Sequence, residues 1–331
     1  MKAVVIHEHG GLDKLVYEEV PTPKAGPGEI LVAVKACGLN HLDIFVRRGM
    51  PGLPTELPRI TGGDIAGVIH EIGAGVDGLQ VGQRVLLDPM ITLPDGRHGA
   101  LGENATGGLA EFINVPAANA IPLPDDVLFE QAAALPIAYG TAWRMLITRG
   151  KLQAGEHVLV LGASGGVGTA CVQIAKMLGC VVYAAGSSEA KLARLKELGA
   201  DVLVNYSEHP DFHRFVRGAR GGAGLDVVVD YTGADTWVKS LKSLKVGGRL
   251  LTCGATTGYD PKTDLRFIWT RELNIIGSDG WRREDLIDLV EAVRTGRIKA
   301  VVHRVLPLEQ TQEGHRLLEQ REVFGKVIIK P

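Results

Sequence analysis

The sequence predicts an α/β protein in which a doubly wound parallel sheet is joined to a second, β-rich domain. Three observations carry this. An apolar run at 158–161 feeds Gly162-Ala163-Ser164-Gly165-Gly166-Val167-Gly168 and then a helix-like stretch to about residue 179. Downstream, short Val-rich segments at 181–185, 202–205, 227–230, 249–253 and 273–276 alternate with helical periodicity. They lack polar alternation, as strands buried on both faces do. Upstream, strand-like segments crowd together between glycine and proline punctuation.

Taken in order, the first third offers strands at 2–6, 15–20, 29–36, 64–72, 84–88 and 111–115, with one helix at 41–48 and a proline-rich loop at 51–58. Residues 129–150 have a helical period. The tail carries amphipathic helical patterns at 284–294 and 308–319 and a last strand at 327–329, and is expected to return to the first domain. At 331 residues the chain exceeds one typical domain. The expected division is 1–123 with 278–331, and 124–277 between them.

Composition narrows the function. A net charge of −2 without long runs of one sign argues against a polyanion-binding surface and gives no sign of a membrane partner, and Arg214, Arg217 and Arg220 read as a solvated helix face. Cys37, Cys171, Cys180 and Cys253 form no C-x-x-C pair, and no stretch approaches the length of a membrane-spanning helix. The expectation is a soluble, cytoplasmic protein with reduced thiols.

The glycine turn carries the chemistry. A buried strand that enters a helix through glycines leaves backbone N–H groups directed at open space, where the helix dipole favours a pyrophosphate. With the second strand following at β-α-β spacing, this is the dinucleotide seat of a Rossmann-type domain, although Ala163 stands in the first glycine place. An acid at the end of the second strand would bind the ribose 2′-hydroxyl of NAD. Here the place reads Ala184-Ala185-Gly186-Ser187-Ser188, and a 2′-phosphate is accommodated by Gly186, Ser187, Ser188 and Lys191. NADPH is the expected cofactor, with NADH the alternative. Ser187 also suits an N-cap for the next helix, with Glu189 complementing the dipole, and Glu189 is the residue that would reverse the preference.

The order of domains, with Cys37-Gly38-Leu39-Asn40-His41-Leu42-Asp43, Gly62-Gly63-Asp64-Ile65-Ala66-Gly67 and Gly165-Gly166-Val167-Gly168, resembles the medium-chain dehydrogenase/reductase superfamily across essentially the whole chain. The resemblance implies a GroES-like fold for the catalytic first domain. Zinc enzymes of the superfamily hold their metal at places that look like Asn40, Gly63 and Ala133 here, and the cysteine-rich lobe that binds their structural zinc corresponds to 89–107, which has no cysteine. No zinc is expected, because the metal wants thiolate, imidazole or carboxylate. Simple alcohol oxidation is then disfavoured, whereas a quinone or an α,β-unsaturated carbonyl accepts hydride readily.

Asn40 also matches the zinc-independent quinone oxidoreductases of the zeta-crystallin group, where its amide would donate to the substrate carbonyl. Lys191, Tyr206 and Arg321 stand where those enzymes meet the 2′-phosphate. Family position further implies Ser164, Gly165, Gly166 and Val167 at the pyrophosphate and nicotinamide, and Thr232 and Gly233 along the adenosine half. Cys253, Gly254 and Ser278 would meet the carboxamide, and Lys326 and His41 the pyrophosphate. His41 is also a candidate proton donor. Asp43 either positions the nicotinamide ribose or a proton relay, or holds the turn that starts its helix. Phe45, Met50, Trp281 and the loop 51–58 would shape the substrate pocket.

The expected protein is an NADPH-dependent quinone or enone reductase acting on a small molecule, a homodimer or higher homo-oligomer paired through 273–276. Two alternatives stand beside it: an NAD(P)-dependent alcohol dehydrogenase, for which Asn40-His41-Leu42-Asp43 and Leu101-Gly102-Glu103 resemble zinc-type relatives, and a non-catalytic NADPH-binding protein of the zeta-crystallin kind. RNA binding by the latter is disfavoured by near-neutral charge.

Overall fold

The computed structural model describes residues 1–49, 55–93 and 96–331, so Met50 and the first part of the 51–58 loop lie outside the described residues. The chain forms two compact units, one of residues 1–138 with 286–331 and one of residues 139–285.

In the second unit six parallel strands lie in the order Val202–Asn205, Val181–Gly186, His157–Val160, Leu225–Val229, Leu244–Thr252, Asn274–Gly277. The order reverses beside the first strand of the unit, which pairs with both its second and its fourth: Val158 lies opposite Val182 on one side and Val227 on the other. Doubly wound sheets place their ligand at this switch point. The apolar character of the strands is explained by burial: Val158, Leu159, Val160, Val227, Val228 and Val229 have no exposed surface, with helices covering both faces.

The glycine turn sits where the first strand ends. Gly162 has φ +59°, which a side chain disfavours, and the helix Gly166–Met177 starts after Gly165. Gly168 has a different reason to be glycine, since a Cβ there would lie 2.4 Å from the Gly162 carbonyl oxygen and 2.6 Å from the Ala163 backbone. Close approach of helix to strand, rather than dihedral freedom, fixes it.

The first unit is built on the strand Glu29–Gly38, which pairs antiparallel with Asp64–Ile72, with Phe112–Pro116 and, at Cys37 and Gly38, with the last strand Lys326–Lys330. That last strand also runs parallel to Val302–Pro307, so the tail does complete this sheet. Val302–Pro307 was not legible in the sequence, because His303 and Arg304 interrupt the apolar pattern; neither were Met90–Thr92, His98–Ala100 and Ala120–Pro122. The helix His41–Arg48 follows the sheet directly, and the stretch 129–150 is helical but broken. An α-turn at Phe129–Ala132 gives way at Pro136, which lacks an N–H, to wide turns at Leu135–Gly140 and Arg144–Arg149, one of them closed by the Gly150 N–H donating to Met145 O at 2.8 Å. The units divide at 138 and 285 rather than 123 and 277; residues up to 138 stay with the first unit because Phe129–Ala132 packs on its strands and the Ile137 N–H donates to Asp64.

Arg47 is 1% exposed inside the first unit. Its guanidinium meets the Gly10 carbonyl, Nδ1 of His315 and the Glu319 carboxylate. Burial, and then the Arg47 charge, push the His315 imidazole down to about 3, so it stays neutral beside the guanidinium. No helix among the described residues is long and apolar enough to cross a membrane.

Replacing Gly168 by Ala is expected to destabilise the protein by about 3 kcal/mol, since the obstructing atoms are backbone and cannot swing aside. Urea denaturation of the two proteins measures it.

Candidate active site

Four segments of the first unit bring a polar cluster together under its sheet. The strand Glu29–Gly38 ends at Leu39 and Asn40, and Asn40, extended at φ −134°, caps the helix His41–Arg48. Asp64 begins the neighbouring strand, Ile137 comes from the wide helical turn, and Lys326 begins the last strand. The Lys326 ammonium donates to the Leu39 carbonyl at 2.8 Å, Asn40 Oδ1 at 2.5 Å and Asp64 Oδ2 at 2.9 Å. Asn40 Nδ2 donates to Asp64 Oδ2 at 2.9 Å and the Gly38 carbonyl at 3.3 Å, while Asp64 Oδ1 accepts from the Ile137 N–H at 2.8 Å. The Asp64 and Lys326 side chains are 0% and 3% exposed. A buried ion pair persists only when its remaining polar valences are filled, and here they are.

Asp43 is the second buried carboxylate. It reaches back to the Asn40 N–H at 2.7 Å and across to the Gly62 N–H at 2.7 Å. Of its two sequence readings, the geometry realises the helix-start turn, extended to a second loop. Burial raises its carboxyl to about 6, the two N–H groups and Lys326 working in the opposite direction. The buried Cys37 thiol is pushed well up by burial and by Asp43 and Asp64. His41 is exposed on the first helical turn, and its imidazole is held below the usual range by desolvation and by the positive charges of Lys326 and Arg321.

Two expected roles change. Lys326, expected at the pyrophosphate, is 2% exposed with its three protons taken up by Leu39, Asn40 and Asp64. Asn40, expected to donate to a substrate carbonyl, has both amide hydrogens on Gly38 and Asp64. Both hold the loop in place instead.

The same geometry tests the superfamily's catalytic zinc. Asn40 Oδ1 already accepts a cation's proton, and Gly63 has no side chain. A Cβ at Gly63 would lie 3.2 Å from Ile137 Cδ1 and 2.8 Å from the Leu101 carbonyl. Ile137, not Ala133, therefore faces Gly63; the Ala133 carbonyl packs against Gly38. A carboxamide, a glycine and an isoleucine do not fit zinc. Among the described residues no group of three His, Cys, Asp or Glu is placed to hold a metal.

The second unit contains the dinucleotide seat, and its residues fit the group. Ser164, Gly165, Gly166 and Val167 are half-buried at the turn, and Thr169 is the first residue whose N–H donates back into the helix, to Gly165 O at 2.9 Å. The turn is braced by the Tyr231 hydroxyl, which donates to the Gly162 carbonyl at 2.9 Å. Thr232 and Gly233 follow the fourth strand, where their N–H groups donate to Asp230 Oδ1 at 3.0 and 3.2 Å. Asp230, 1% exposed, also accepts from the Thr236 and Ser240 hydroxyls. Sequence reasoning passed over Asp230 and Tyr231, though a buried acid at a strand end followed by Thr-Gly was a readable signal.

At the second strand's end Gly186 is buried and Ser187 and Ser188 are exposed. Ser188, not Ser187, is the N-cap of the helix Glu189–Glu197, accepting from the Lys191 N–H at 3.5 Å. The Tyr206 N–H donates to the Gly186 carbonyl at 3.2 Å, and the Tyr206 ring is exposed. Arg321 lies in the first unit, exposed, with φ +57°. Cys253, Gly254 and Ser278 line one cavity of 510 Å³ with Arg144, Arg149 and Asp279. Burial pushes the Cys253 thiol up to about 12, which leaves it without nucleophilic character. Trp281 is half-buried in the same unit, whereas Phe45 belongs to the helix of the first.

Comparison with known proteins agrees with this construction. Residues 166–295 match the family described as zinc-binding dehydrogenase, and residues 26–125 the family described as alcohol dehydrogenase GroES-like domain. The chain belongs to the medium-chain dehydrogenase/reductase superfamily, and it is an oxidoreductase whose glycine turn fits a nicotinamide dinucleotide. It is 31% identical to an acryloyl-coenzyme A reductase of Sulfurisphaera tokodaii, covering 100% of both chains. It is 31% identical to a quinone oxidoreductase of Rattus norvegicus, covering 99% of this chain and 97% of that one. The crystal structure of an NAD-dependent alcohol dehydrogenase superposes with a TM-score of 0.94 at 41% identity, covering 100% of both chains.

Replacing Lys326 by Met leaves Asp64 charged and buried, and is expected to cost about 3–5 kcal/mol in urea denaturation. Adding Asp64→Asn should recover most of that loss. A second expectation concerns pH. Asp43, raised to about 6, contributes stability that is complete below its unfolded value of 3.8 and lost as pH rises through 6. His315, lowered to about 3, contributes stability complete above 6.5 and lost as pH falls. The two slopes oppose each other between about pH 4 and 6. Asp43→Asn should therefore steepen the loss of stability on acidification, by up to about 1.4 kcal/mol per pH unit. Denaturation midpoints across that range measure it.

Proposed function

We propose that this protein is a zinc-independent reductase that uses NADPH to reduce a quinone or an α,β-unsaturated carbonyl compound. The observation that carries the reading is the donor set at the superfamily's metal position: an Asn40 carboxamide held by Lys326 and Asp64, a glycine at 63 and an isoleucine at 137. Such a site has no Lewis acid with which to lower the pKa of an alcohol, so a ready hydride acceptor suits it better. The named activities of the acryloyl-coenzyme A and quinone relatives support the same substrate chemistry.

NADPH supplies the hydride when bound. Gly165, Gly166 and Val167 would present backbone N–H groups to its pyrophosphate. Gly186, Ser187, Ser188, Lys191 and Tyr206 would accept the 2′-phosphate, and the cavity at Cys253, Gly254 and Ser278 would take the carboxamide. Asn40, Asp43, Asp64 and Lys326 act by positioning: they lock the start of the helix that His41 opens. Exposed at the helix start, His41 is the group there with a ring N–H to hydrogen-bond the oxyanion that forms on the acceptor.

A second reading, NAD-dependent alcohol oxidation, is favoured by the 41% identical neighbour. One assay separates the two. Loss of NADPH absorbance with a panel of quinones and conjugated enones, undiminished by a chelator, is the expected result. Turnover of alcohols alone, appearing only after zinc is added, would overturn the proposal.

A further inference from the structure

The acids nearest the 2′-phosphate seat are held by a neighbour, and we propose that Asn205 is a specificity-determining residue that admits a phosphorylated dinucleotide despite Glu189 and Glu208. The proposal rests on the NADPH reading and deepens it. Glu189 is exposed and opens the helix that follows Gly186-Ser187-Ser188, so a carboxylate free to turn back would compete for the helix N-terminus and repel a phosphate there. In the structure its Oε1 accepts from Asn205 Nδ2 at 2.9 Å. The same nitrogen donates its other hydrogen to Glu208 Oε1 at 2.8 Å, and Asn205 Oδ1 accepts from the Ser207 N–H at 3.1 Å.

Every polar valence on the Asn205 nitrogen is thus taken, on a residue only 8% exposed. The amide orientation follows from its partners: two carboxylates can face only the NH₂, and a backbone N–H only the oxygen. The surrounding loop is stiffened by two further bonds, Tyr206 N–H to the Gly186 carbonyl at 3.2 Å and the Ser207 hydroxyl to the Ser187 carbonyl at 3.1 Å. Asn205 therefore holds fixed both the seat and the position of the acid beside it. Without its amide hydrogens, Glu189 and Glu208 lose their shared donor and Glu189 gains the freedom to swing toward the turn.

The test is an equilibrium titration of NADPH and NADH, read by cofactor fluorescence, against the wild type, Asn205→Ala, Glu189→Gln and the double variant. The wild type is expected to bind NADPH more tightly. Asn205→Ala should weaken NADPH about tenfold and NADH less than about twofold, as expected when the Glu189 charge is brought nearer the phosphate. Glu189→Gln in the Asn205→Ala background should restore NADPH binding to within about twofold of the wild type. If Asn205→Ala fails to fold, Asn205→Ser replaces it, retaining an oxygen for the Ser207 N–H. Equal weakening of both cofactors, or no rescue by Glu189→Gln, overturns the role of Asn205 alone. A wild type that binds NADH more tightly overturns the NADPH reading and this proposal with it.

Discussion

The buried pair between Lys326 and Asp64 is the interaction on which the first unit's site depends. Two opposite charges without access to water are tolerated because Leu39, Asn40 and the Ile137 N–H fill the valences that the pair leaves open. Four separate stretches of chain are thereby fixed at one point, and the loop bearing His41 and Asp43 is held from behind. Asp43 extends the arrangement to the Gly62 loop, one oxygen accepting from the Asn40 N–H and the other from the Gly62 N–H. The cluster that makes the site rigid also takes up the Asn40 carboxamide at the superfamily's metal position.

The second unit depends on a different constraint, close approach of backbone to backbone. At Gly168 the helix comes too near the turn for any side chain, and the Tyr231 hydroxyl and Asp230 carboxylate tie the surrounding loops to it. Dinucleotide binding asks for N–H groups held in fixed directions, and this bracing supplies them before any ligand arrives. Buried side chains not visible as a motif do much of it.

How far the sequence revealed this follows from distance along the chain. The glycine turn, the parallel strands and the helix His41–Arg48 rest on local spacing, and they were legible. The cluster was not, because Lys326 and Asp64 are separated by 262 residues and nothing near either names the other. Lys326 was assigned to a ligand by family position, and its acceptors, distant along the chain, appear only in the structure. Ala133 was matched to the metal position by resemblance alone, whereas Ile137, in the wide turn Leu135–Gly140, is the residue that faces Gly63. Asn205 lay one residue from the Tyr206 that drew attention, and its importance appears only when Glu189 and Glu208 are seen on the same nitrogen.

The placement of the strand Lys326–Lys330 beside Glu29–Gly38 has a consequence for synthesis. As the polypeptide leaves the ribosome, residues 139–285 are complete and free to fold while the unit that precedes them still lacks part of its sheet. Asp64 must wait for 262 further residues to be made before its partner emerges. The first unit is therefore begun before the second and finished after it, and until then its half-built face is what chaperones and proteases encounter.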